Sequence, residues 1–163
     1  MEKGLVQVYG GAGHGKSAIA LGRAIQVADT GREVVIINFL KGCRNEEILK
    51  RLEPEIKIFR FEKSEEEFAN LSEERKQDEI CNIKNGLNFA KKVLTTGECG
   101  LLILDEVLGL IDNGIITIED LSHILEARSE DVDIILTGIQ LNDDVCQLAD
   151  EIYDSEAVNY RIY

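Results

Sequence analysis

Leu5-Val6-Gln7-Val8-Tyr9-Gly10-Gly11-Ala12-Gly13-His14-Gly15-Lys16-Ser17 is the stretch on which the fold of this chain turns. An apolar run of strand length breaks at Gly10 into a glycine-rich loop. Apolar residues at helical spacing then run from Ser17 to Asp29 and stop near Gly31. Residues 10–17 satisfy G-x-x-x-x-G-K-[ST] in the strand, loop and helix setting that the motif requires. The spacing has a chemical reason. Glycines let backbone N–H groups turn inward as an anion nest, and the helix N-terminus adds the positive end of its dipole. Lys16 brings a point charge to the outer phosphates, and the Ser17 hydroxyl is a ligand for Mg²⁺. The competing reading, a glycine turn that happens to precede Lys-Ser, arises by composition on the order of once in a hundred chains of this length. The loop therefore predicts nucleotide phosphates held by Gly10, Gly11, Ala12, Gly13, His14, Gly15, Lys16, Ser17 and Ala18.

Outward from the loop, the same kind of strand run recurs at Val34-Val35-Ile36-Ile37-Asn38-Phe39, Ile56-Lys57-Ile58-Phe59, Leu101-Leu102-Ile103-Leu104 and Ile134-Ile135-Leu136. Helical patterns separate these runs. Ser72 to Thr95 sets Ile80, Ile83, Leu87, Ala90 and Leu94 on one stripe. Thr117-Ile118-Glu119-Asp120 reads as a capping box opening a helix through Leu125, and Asn142 caps a further one through Ala149. Near-continuous apolar strands alternating with helices call for a parallel sheet covered on both faces. With the phosphate loop, this predicts one α/β domain over residues 1–163. It is a P-loop NTPase (RecA-like) three-layer fold with a mostly parallel central sheet flanked by helices.

Composition bounds the function. At 163 residues, with 44% hydrophobic and 30% charged residues, the chain has the length and balance for one globular core. No apolar run approaches the ~20 residues of a membrane helix, and the N-terminus reads without a signal peptide, so the expected compartment is the cytoplasm. The net charge of 18 − 31 = −13 opposes binding to nucleic acid, which would need a local basic patch. Cys43, Cys81, Cys99 and Cys146 are widely spaced, without metal-ligand pairing, and read as buried free thiols.

Leu101 to Leu104 ends in Asp105-Glu106, an apolar strand running into two carboxylates, which in a P-loop protein is where the metal-side acid sits. Ser17, Asp105 and Glu106 are thus the candidate Mg²⁺ ligands, and Lys16 and Glu106 the candidate catalytic residues. Taken alone, the motif reads equally as a strand followed by an acidic helix start. Lys41-Gly42 follows the second strand, on the sheet edge where open α/β folds bind ligands, which makes Lys41 a candidate to face the site. Ser64 to Glu79 reads as a solvated helix face, with a lid over the nucleotide as the second reading. His14 reads as an exposed loop residue ahead of a substrate contact.

Several segments together resemble the ATP:corrinoid adenosyltransferases, the cob(I)alamin adenosyltransferase family: Val8 to Lys16, Asn38-Phe39-Leu40-Lys41-Gly42, Leu104-Asp105-Glu106, Ala127-Arg128, Leu136-Thr137-Gly138 and Leu148-Ala149-Asp150. The resemblance implies transfer of the 5′-deoxyadenosyl group of MgATP to reduced corrinoid cobalt, cob(I)alamin or cob(I)yrinic acid a,c-diamide, with release of triphosphate in cobalamin biosynthesis. It also implies a homodimer and a flavodoxin-type reductant. Under it, Lys16 and the loop stabilise the triphosphate, with Ser17 and Glu106 on Mg²⁺. The chain departs from the family pattern on the corrinoid side. It has no Trp, Phe61 to Glu67 is acidic, and Ile139-Gln140-Leu141 stands where Arg and prolines usually follow Leu-Thr-Gly. The loop has His14-Gly15-Lys16-Ser17-Ala18 for the usual Lys-Gly-Lys-Thr-Thr, and the C-terminus ends in Tyr160-Arg161-Ile162-Tyr163. These departures motivate the second class, a P-loop ATPase or nucleotide-dependent regulatory module without a corrinoid site.

Overall fold

The computed structural model describes residues 3–12, 15–40, 47–62 and 64–155. The strands are β1 (Val6–Gly10), β2 (Val34–Asn38), β3 (Ile56–Arg60), β4 (Leu101–Asp105), β5 (Asp133–Gly138) and β6 (Glu151–Asp154). They form one sheet in the order β3-β2-β4-β5-β1-β6, and every pairing is parallel rather than mostly so. The helices are α1 (Lys16–Asp29), α2 (Glu73–Thr96), α3 (Val107–Asp112), α4 (Ile118–Glu126) and α5 (Asp143–Cys146).

Three layers follow from the two-residue period of the strands. Val6, Val8, Val35, Ile37, Leu102, Leu104, Ile134 and Leu136 point to one face, where they pack with Ile83, Leu87, Ala90 and Leu94 of α2 and with α3 and α4. Tyr9, Val34, Ile36, Leu101, Ile103 and Ile135 point to the other, against Ala20 and Ala24 of α1. Alanines on that buried stripe let α1 lie close across the sheet. Truncating an interior residue such as Leu102, fully buried, would cost about 2–5 kcal/mol, because transfer and cavity terms add.

The caps expected at Thr117 and Asn142 form, and α2 is capped at both ends as well. Ser72 accepts from the Arg75 amide at the start of α2, and Gly97 closes that helix in the left-handed region. Thr117 and Asp120 bond reciprocally as a capping box, and Asn142 accepts from the Asp144 amide. Three features differ from expectation. The α5 helix ends at Cys146 rather than Ala149, because the chain must straighten for the Asp150 amide to donate to Val6 O and lead into β6. The β6 strand itself carries no apolar run; it is held on the edge by stacking of Tyr9 on Tyr153, centroids 4.8 Å apart, and by Gln7 donating to Glu151. The α3 helix, Val-Leu-Gly-Leu-Ile-Asp, prolongs an apolar stretch that periodicity cannot separate from the strand before it.

Among the described cysteines only Cys99 is buried; Cys81 is exposed on α2 and Cys146 is partly covered, so the expectation of buried thiols fails at two of these three. Burial pushes the Cys99 thiol up to about 11. Cys43 lies outside the described residues. Among those residues no helix is long and apolar enough to cross a membrane.

Candidate functional site

Parallel strands deliver their C-terminal ends to one edge, and β5 separates the loop-bearing β1 from the acid-bearing β4. Gly10 is paired with Gly138 in that register. The loop turns at Gly11, whose φ of 118° belongs to glycine, and an added Cβ there would strike the Ser155 carbonyl. The Gly11 amide already donates to Ile139 O (3.0 Å), and Ser155 N donates to Gly10 O (2.7 Å). Gly10 and Gly11 therefore shape the loop, the Gly11 N–H being held by Ile139 O. Ala12 and Ala18 are exposed beside it, and Gly15 stands at the start of α1 with no side chain capping the helix. A helix start of that kind presents N–H groups to an anion. Gly13, His14 and Lys41 lie outside the described residues.

The polar centre is compact. Lys16 is only 8% exposed, and its Nζ lies 3.4 Å from Glu106 Oε1. Ser17 Oγ donates to Asp105 Oδ1 at 3.1 Å. Thr137, fully buried in β5, donates to the same Oδ1 at 2.6 Å and accepts the Glu106 amide at 2.8 Å. Glu106 occupies the left-handed region (φ 63°), a conformation costing a non-glycine residue roughly 1–2 kcal/mol. Its ion pair with Lys16 and its amide bond to Thr137 hold it there. The turn reverses the chain so that α3 can pack back on β5, and Gly138 admits Leu108, whose Cβ an alanine at 138 would strike.

Lys16, Ser17, Asp105 and Glu106 thus come together as the motifs predict. Thr137 is the member that motif reading missed, although a hydroxyl closing the apolar run Ile134-Ile135-Leu136 is a visible signal. Next to Glu106 opens a cleft of about 480 Å³, bordered by Leu40, Phe68 and Ile139 and by Glu62, Glu65, Glu66, Glu67 and Asp112. Ser64 to Leu71 is irregular chain with a single 3₁₀ turn at Phe68–Asn70, not a helix face, and it forms one wall of this cleft. Partial burial pushes the Asp112 carboxyl up from its ordinary value. Arg128 and Asp150 fall at the opposite end of the sheet, where Arg128 donates to Gly4 O and Val132 O and Asp150 accepts the Val6 amide. They brace the strand starts, far from the loop.

A strand-borne glycine loop, a Lys-Ser helix start and an acid strand two places away define a P-loop α/β protein. Within that class the chain belongs to the ATP:corrinoid adenosyltransferase family BtuR/CobO/CobP, which it matches over residues 2–162. It is similar to the corrinoid adenosyltransferase of Escherichia coli K12, at 24% identity across 98% of this chain and 80% of that protein. It is likewise similar to the corrinoid adenosyltransferase of Pseudomonas aeruginosa, at 24% across 98% and 78%. A KaiC-like protein of Pyrococcus horikoshii shares the fold, with a TM-score of 0.60 at 19% identity over 97% of this chain and 76% of that one. The enzyme is a transferase by family.

Proposed function

We propose that residues 1–163 act as one nucleotide-binding domain that transfers the 5′-deoxyadenosyl group of ATP to the reduced cobalt of a corrinoid, with triphosphate as leaving group. The observation that carries this reading is the convergence of Lys16, Ser17, Asp105 and Glu106 on one strand edge beside an open cleft. Cobalt in its reduced substrate form is itself the nucleophile: its electron pair forms the cobalt–carbon bond, and the pair of the C5′–O bond departs with the triphosphate. No protein nucleophile is needed. The protein's part is to align the two substrates and stabilise leaving charge.

Lys16 and the amides at the start of α1, with Gly13 and His14 completing the loop, bind the triphosphate. Arriving phosphates compete for the Lys16 ammonium that Glu106 otherwise holds. Ser17, Asp105 and Glu106 offer only oxygen donors, the set that suits Mg²⁺, and would hold it. The cation would supply charge neutralisation on the triphosphate. The cleft between Leu40, Phe68 and Ile139 receives the corrinoid. The same reading makes the protein a cytoplasmic homodimer of cobalamin biosynthesis, supplied by a flavodoxin-type reductant, with no nucleic-acid partner. The test is spectroscopic. Protein with MgATP and chemically reduced corrinoid should develop the absorption of an alkylated corrinoid, and a spectrum that stays unchanged would overturn the proposal.

A further inference from the structure

We infer that Thr137 is a positioning residue: its single hydroxyl, joining the Glu106 backbone to the Asp105 carboxylate, sets both acids for the metal-dependent step without contributing to nucleotide affinity. The inference rests on the reading of Asp105 and Glu106 as the Mg²⁺ side of the site. A hydroxyl can accept and donate at once. Thr137 does both across strands, accepting from Glu106 N (2.8 Å) and donating to Asp105 Oδ1 (2.6 Å), 31 and 32 residues away in sequence. A fully buried threonine would pack as well as valine if only volume mattered. Here one oxygen holds the amide of a residue in the left-handed region and the side chain of the residue before it.

The second hydroxyl on Asp105 Oδ1, from Ser17, differs in kind. Ser17 belongs to the first turn of the helix that follows the loop, so its bond depends on where the loop sits. Thr137 lies on an interior strand paired on both sides, with β1 and with β4. Its hold on Asp105 therefore does not depend on where the loop sits and persists when Ser17 turns toward a ligand. Thr137 has no exposure, so its influence on a substrate must pass through the two acids.

The experiment compares the full chain with Thr137→Val and Thr137→Ser. Calorimetry with the β,γ-imido analogue of ATP across Mg²⁺ concentrations gives the first readout, and kcat against KM for adenosyl transfer the second. Loss of a hydrogen bond to a charged group corresponds to roughly tenfold or more. In Thr137→Val the Mg²⁺ concentration for half-maximal enhancement of binding should rise, and kcat fall, by about that factor. Metal-free nucleotide affinity and KM should stay within about twofold, and Thr137→Ser should restore both. An unchanged Mg²⁺ dependence, a parallel loss of metal-free affinity, or a serine variant as impaired as valine would overturn the inference. Should valine fail to fold, Thr137→Cys, similar in size but a weak donor, is read in the same way. If cysteine and serine unfold as well, the residue is structural and the inference falls. Absence of adenosyl transfer by the unaltered protein would instead refute the proposed function, while the Mg²⁺ dependence of binding still judges Thr137.

Discussion

Two halves of the same sheet edge are built on opposite plans. At the ends of β1, β4 and β5, Lys16, Ser17, Asp105, Glu106 and Thr137 lie within hydrogen-bond or ion-pair reach of one another, and Lys16, Asp105 and Thr137 are buried. Around the ends of β2 and β3, the cleft is open and its wall carries the exposed carboxylates Glu65, Glu66 and Glu67. Buried polar groups need partners, so the first half has little freedom to vary in geometry. Exposed charges are solvated and constrain almost nothing. Under the proposed function, affinity for phosphate belongs to the closed half and choice of second substrate to the open half.

The largest effect should come from Lys16→Ala. Removing the ammonium takes away a charge-assisted contact to phosphate and leaves Glu106 unbalanced in a nearly closed site. MgATP affinity measured by calorimetry should fall by roughly a hundredfold or more in a protein that still folds. Unchanged binding would dissolve the distinction between the halves.

Next comes Glu106→Gln, which keeps the shape of the side chain while removing its charge. An interaction that matters most as the triphosphate departs shows in kcat rather than KM, by roughly ten- to a hundredfold. Steady-state kinetics showing a raised KM with kcat unchanged would make Glu106 a binding residue only.

Gly138→Ala attacks the seam between the halves, because α3 follows directly on Glu106, its N-cap, and also borders the cleft at Gly109 and Asp112. The added methyl collides with Leu108 Cβ, which is not the far end of a flexible chain. Overpacking of this kind costs about 1–3 kcal/mol, visible as a lowered thermal midpoint. A midpoint equal to that of the unaltered protein would show that α3 is free to shift.

The smallest effect belongs to the exposed wall. Glu65→Gln with Glu67→Gln should leave MgATP affinity within about twofold and change corrinoid KM by only a few-fold, in the direction that favours corrinoids bearing free carboxylates, and only at low ionic strength. A salt-independent change in ATP affinity would place these residues in the closed half instead.

The closed half was largely legible in the sequence, because its chemistry requires particular residues at particular spacings. Gly15, Lys16 and Ser17 must follow one another, and Asp105-Glu106 must end an apolar strand. The five apolar strands were legible for the same reason: burial on both faces demands near-continuous β-branched runs. What escaped was whatever depends on tertiary pairing. The β6 strand is exposed and mixed in composition and exists through its bonds to β1. The α3 helix depends on a left-handed turn at a glutamate, which no propensity announces. The role of Arg128 and Asp150 in bracing strand starts was hidden because their partners are backbone atoms of distant segments. The cleft wall at Ser64 to Leu71 carried helix-like charge spacing, and Ser64 heads an S-x-x-E run, but its hydroxyl accepts from Glu66 N in a tight turn, so the helix begins only after the Ser72 cap.

The central claim, that this edge transfers an adenosyl group rather than hydrolysing a terminal phosphate, is tested most directly by the fate of the phosphates. Attack at the 5′ carbon and attack at the terminal phosphorus break different bonds. Phosphorus NMR of the reaction with MgATP should show intact triphosphate appearing only when reduced corrinoid is present. Orthophosphate and ADP formed without corrinoid, and no triphosphate with it, would contradict the account.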